Sequence, residues 1–175
     1  MIGWITTWGI RCGIATYSKF LIDEIQDEVI VMCQSGEGEV EGAVPCWKRD
    51  SNFFGGIIAQ IAAKDIRTVV IQHQPGLLRF SYLNELLHKL SEMSVKVFIT
   101  MHNTKDRSII FPSKRIEKAV SGLKTCSTVM VHSKSDLENL KKLGIEDNVV
   151  MIPHGVYPPP KEDVQSLEIK GRTMA

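Results

Sequence analysis

"TVVIQHQPGLLRFSYLNELLHKLSEMSVKVFITMH", residues 68–102, holds two apolar runs of strand length on either side of a helical period. The first, 68–73, is a continuous run of the kind that forms a buried strand. Leu83, Leu86, Leu87, Leu90 and Met93 then recur at three or four residues, which marks one face of a helix. Residues 95–102 read again as a strand. Strand, helix, strand implies a right-handed crossover between parallel neighbours.

The same alternation extends in both directions. Upstream, 2–8 reads as a strand, and Ile14, Tyr17, Leu21 and Ile25 give a helix over 14–26. Residues 28–33 form a second strand, "GEGE" (36–39) a turn, and "VEGAVPCW" (40–47) an edge strand, because Pro45 excludes a central one. Phe54, Ile57, Ile58 and Ile61 predict a helix within 51–64, although Gly55 and Gly56 cost about 1 kcal/mol each against alanine. Downstream, Ile116, Ala119, Val120 and Leu123 predict a helix starting near Pro112 and Ser113. Residues 128–132 and 148–152 are strands. Between them "SDLE" (135–138) reads as a capping box with Ser135 as N-cap, and Gly144 as the helix stop. The expected fold is α/β: a doubly wound, mostly parallel Rossmann-like sheet with helices on both faces, one domain over residues 1–157.

Composition narrows the function classes. The chain has 175 residues, 43% hydrophobic, with 21 basic and 20 acidic side chains mixed along it for a net charge of +1. That balance supplies no basic face for nucleic acid. No apolar run approaches the roughly 20 residues of a membrane span, and "MIGWITTWG" has no signal-peptide pattern. Cys12, Cys33, Cys46 and Cys126 show no C-x-x-C spacing, which argues against a metal or redox motif and for a reducing, cytoplasmic setting.

Open parallel sheets bind ligands beyond the carboxyl ends of their strands. Four of the five histidines (His73, His102, His132 and His154) fall at such ends. His88 lies within a helical segment. The histidines are too far apart in sequence for a local metal motif, and G-x-S-x-G is absent. A catalytic pair of His73 and His102 acting as acid and base stays open, as does a structural role for each. At the first turn, Gly9 and Gly13 precede a helix N-terminus, where backbone amides favour an anion. Neither G-x-G-x-x-G nor G-K-[ST] is present, so phosphate contact and a plain tight turn both remain.

Five stretches together carry a resemblance: "RCGIATYSKFL", "VVIQHQPG", "VFITMHNT", "VMVHSKSDLENLKKLGI" and "NVVMIPHGV". In this order and spacing the sequence resembles the N-terminal domain of family 4 retaining glycosyltransferases of the GT-B fold, over about residues 2–157. The resemblance implies that Gly13 approaches the diphosphate of a nucleotide-sugar donor, with Arg11 beside it. It implies that Tyr17, His73 and Asn103 face the acceptor, that His102 is the catalytic-cleft residue near the transferred sugar, and that His154 and Gly155 mark the crossing to a second domain. Gln74 and Pro75 depart from the acidic residue that relatives carry there. The partners implied are a nucleotide sugar and a glycan or small-molecule acceptor, with no resident cofactor and no metal; peripheral membrane contact stays open. The donor-binding half, with its paired glutamates and basic residues, would follow residues 158–175 as linker, or reside on a partner chain. The alternative is a non-catalytic, glycan-binding or partner-docking half-domain.

Overall fold

The computed structural model describes residues 1–36, 42–48, 54–104 and 115–155. Seven strands form one parallel sheet: β1 (Ile2–Ile5), β2 (Val29–Gln34), β3 (Ala43–Trp47), β4 (Thr68–His73), β5 (Lys96–Met101), β6 (Thr128–Val131) and β7 (Val149–Met151). Their spatial order is β3-β2-β1-β4-β5-β6-β7, and every pairing is parallel. The helices among the described residues are α1 (Gly13–Asp23), α2 (Gly55–Ala63), α3 (Phe80–Glu92), α4 (Val120–Leu123) and α5 (Lys134–Lys142), with a 3-10 turn over Ile116–Ala119 leading into α4. The doubly wound α/β expectation holds, and the sheet is wholly parallel.

Side-chain alternation divides the sheet into two faces. Ile5, Met32, Val69, Ile71, Val97, Ile99, Val129 and Val131 pack against Ile57 and Ile61 of α2, the leucines of α3, Leu123 of α4 and Leu140 of α5. That is the main core. The opposite face receives α1: Thr6 Oγ1 lies 2.7 Å from Ser18 Oγ, both side chains buried. The reversal of crossover direction at the adjacent strands β1 and β4 is a topological switch point, and the crevice beyond their carboxyl ends is the default ligand position in such sheets.

Several sequence boundaries move. The first strand stops at Ile5 rather than residue 8, because Thr6 and Thr7 turn into the segment leading to α1. The third strand is indeed an edge, pairing with β2 alone, which leaves Pro45 unharmed. Gly56 stands at the start of α2 rather than within it; a Cβ there would overlap the Cys46 carbonyl oxygen, so glycine lets the helix approach β3. The α5 cap is corrected: Ser133, not Ser135, is the N-cap, accepting from the Asp136 amide at 3.1 Å. Gly144 ends α5 with φ +77° as expected. Of the expected turn at 36–39 only Gly36 is described, at φ +85°; the helix start at Pro112 and Ser113 and the segment 158–175 lie outside the described residues.

Candidate functional site

The site is built where β1, β5, β6 and β7 run out. From β1 the chain passes through Gly9, at φ +67°, to the exposed Arg11 and then to Cys12, the N-cap of α1. Cys12 makes no side-chain capping bond, and the first turn of α1 holds no acidic residue. The leading amides therefore stay available to an anion. Gly9 is the glycine the turn requires. Gly13 is different: its φ is not left-handed, it is exposed, and a Cβ would meet nothing within 4 Å. Neither turn geometry nor packing demands a glycine at position 13.

One helical turn later, on the same side of α1, Tyr17 meets three histidines. Its ring lies edge-on to His102 and to His132, both at 5.7 Å between centroids, and tilted against His154 at 4.8 Å. Gly155 packs beside the same ring, 4.0 Å from its Cε2 to where a Cβ would stand. Burial raises the Tyr17 pKa.

The histidine rings also contact one another. Centroids are 5.2 Å apart for His102 and His132, 4.6 Å for His132 and His154, and 6.3 Å for His102 and His154. Each is anchored through one nitrogen. His102 Nε2 lies 2.8 Å from Gln72 Oε1, His132 Nδ1 lies 2.9 Å from the Ile152 carbonyl, and His154 Nδ1 lies 3.0 Å from the Gly155 carbonyl. Burial first, and then the neighbouring histidines, push the His102 pKa down to about 4. A neutral His102 is a hydrogen-bond partner for a hydroxyl, not a cation for a phosphate.

The loop carrying His102 and Asn103 is fastened to α5. Thr104 Oγ1 donates to Asp136, the Thr104 amide reaches the same carboxylate at 3.3 Å, and Asn139 donates to the Thr104 carbonyl at 2.8 Å. Asn103, half-buried, adjoins His102 at this rim. His73 is placed elsewhere. Although it ends β4, its side chain is wholly buried on the main-core face, tilted against Phe80, with Nε2 2.8 Å from the Leu78 carbonyl. It holds the turn after β4 and presents no surface to an acceptor, and it does not face His102. His88 belongs to α3 and pairs with Ser121 at 3.0 Å.

Below the histidines, a cavity of about 340 Å³ lies between α1 and the sheet, lined mainly by apolar side chains that include Trp4, Leu21, Val70, Phe98 and Met130. Ile152 lines it and is exposed, as are Val150 and Met151 on the edge strand β7. No helix among the described residues is long and apolar enough to cross a membrane. No model of a known protein family matches the chain, and no curated protein matches it significantly.

His132 and Gln72 are the site residues that sequence reasoning missed. His132 was visible as a strand-end histidine, but nothing in one dimension brings it against Tyr17. Gln72 carried a signal in the sequence: an amide directly after the apolar run Val69–Ile71.

Proposed function

We propose that this domain is the acceptor-side half of a nucleotide-sugar-dependent retaining glycosyltransferase of the GT-B type. The observation that carries the reading is the α1 N-terminus: uncapped, without acidic residues, opening at the switch point, with a glycine whose missing side chain serves neither turn nor packing. Gly13 and the first α1 amides meet the donor diphosphate, with Arg11 flanking it. Tyr17, His102 and Asn103 face the acceptor and the transferred sugar, where neutral His102 hydrogen-bonds a sugar hydroxyl. His154 and Gly155 stand where the chain leaves the sheet toward the donor-binding half.

In retaining transfer the bond to the diphosphate breaks as negative charge gathers on it, and fixed dipoles aimed at that charge lower the barrier. One helix terminus contributes about 0.3–1 kcal/mol when exposed and up to ~2 when partly buried. The remainder comes from groups other than this terminus. The exposed Val150, Met151 and Ile152 favour a second reading, a non-catalytic half-domain that docks on a partner through this edge.

Amide chemical shifts distinguish the two. Uridine diphosphate at about 30 mM, the concentration at which ~2 kcal/mol half-fills a site, is expected to shift the Ile14 and Ala15 amides, and Gly13→Val to abolish the effect. Unmoved α1 amides would remove the donor-binding role and leave the docking reading.

A further inference from the structure

We propose that His102, His132 and His154 form a binding site for a divalent transition-metal ion, with Zn²⁺ the ion its chemistry favours. One ligand atom from each of the three residues lies within 4.8 Å of the other two. Tetrahedral zinc with bonds of about 2.0–2.1 Å needs nitrogens about 3.3 Å apart. The set of ring nitrogens that gives this spacing is therefore within about 1.5 Å of that geometry, and His154 is exposed and free of main-core packing.

The hydrogen bonds decide which nitrogen each ring offers. The Ile152 and Gly155 carbonyls only accept, so His132 and His154 must each donate from Nδ1, which leaves a lone pair on Nε2. His102 donates from Nε2 to Gln72 Oε1 and keeps its lone pair on Nδ1. Metal-ligating histidines are held in this way, with the far N–H fixed by a carbonyl or other acceptor. His132 Nε2 adds an independent observation. It is buried and has no hydrogen-bond partner among the described residues. A buried lone pair without a donor costs free energy, and a metal ion would satisfy it.

Three imidazoles and no carboxylate or thiolate suit zinc and its late first-row neighbours rather than magnesium or calcium, which take oxygen ligands. Three protein ligands leave a fourth position for water or a ligand oxygen. The inference rests on the ring arrangement alone and stands independently of the glycosyl-transfer reading. If both hold, zinc takes the His102 lone pair and inhibits transfer.

The test is calorimetric titration of the metal-free 175-residue chain with zinc chloride in a non-chelating buffer. The expected result is one site with a Kd of about 1 μM or tighter. Gln72→Leu, which removes the His102 anchor, is expected to weaken binding about 10-fold. His154→Ala, at an exposed position whose loss spares the fold, should weaken it at least as much, while His88→Ala on α3 leaves it unchanged. Co²⁺ should give the visible absorption of a four-coordinate site, lost in His132→Ala and His154→Ala. A Kd weaker than about 100 μM, or a tighter one that His154→Ala shifts by less than about 10-fold, overturns the proposal.

Discussion

Glycines 13 and 56 illustrate how one residue type serves opposite ends. At Gly56 a methyl group would run into the Cys46 backbone, so Gly56→Ala is expected to destabilise the protein by about 1–3 kcal/mol as α2 is pushed off β3. At Gly13 a methyl group meets open space, so Gly13→Ala should change stability by less than about 1 kcal/mol. Urea unfolding of the two variants checks this, and equal losses would contradict the distinction. His73 makes a second residue-scale prediction. Its Nε2–H is spent on the Leu78 carbonyl, and its buried Nδ1 has no partner, so a second proton would introduce an unsatisfied buried charge. Burial accordingly lowers its pKa to about 4 from an ordinary 6.5. Because the unfolded chain takes up the proton first, this contribution is complete above about pH 6.5 and disappears as pH falls through about 4, roughly 3 kcal/mol in all. About 2 kcal/mol of it should be gone at about pH 5, with His102 acting in the same direction. Unfolding free energies measured at about pH 7.5 and pH 5 test this; a flat profile would contradict it, and His73→Gln, which can still donate to Leu78, should reduce the slope.

Elements whose signal is periodic were legible. The α3 stripe of Leu83, Leu86, Leu87 and Leu90 is completely buried, as its spacing required. Pro45 placed β3 at the edge for the reason given by its missing N–H. Helix starts were less legible because "SKSDLE" offers two serines with acidic residues three positions on, Ser133 with Asp136 and Ser135 with Glu138. Tertiary contact chose between them: Asp136 also binds Thr104, which ties the cap to the loop after β5. Ser133→Ala should therefore cost about 1 kcal/mol, and Ser135→Ala much less. Denaturation midpoints of the two variants measure the difference, and the reverse order would reinstate the cap at Ser135.

At the scale of the molecule, alternating strands and helices made the parallel sheet legible, because such a chain has few other ways to bury its strands. The rim was legible only in part. Strand ends could be marked along the sequence, but strand order and facing could not. His73 and His102 follow similar strands, yet one turns into the main core and the other toward Tyr17. The central claim is that these residues supply the acceptor side of a transfer site and only one edge of the donor site. The α1 terminus, worth at most ~2 kcal/mol, and the exposed Arg11 beside it, worth about 0–1 kcal/mol more, fall short of the about 4 kcal/mol that even millimolar affinity needs. Isothermal titration of the 175-residue chain with uridine, guanosine and adenosine diphosphate sugars tests this most directly. The account predicts dissociation constants of about 1 mM or weaker for all of them; a micromolar constant for any one would contradict it.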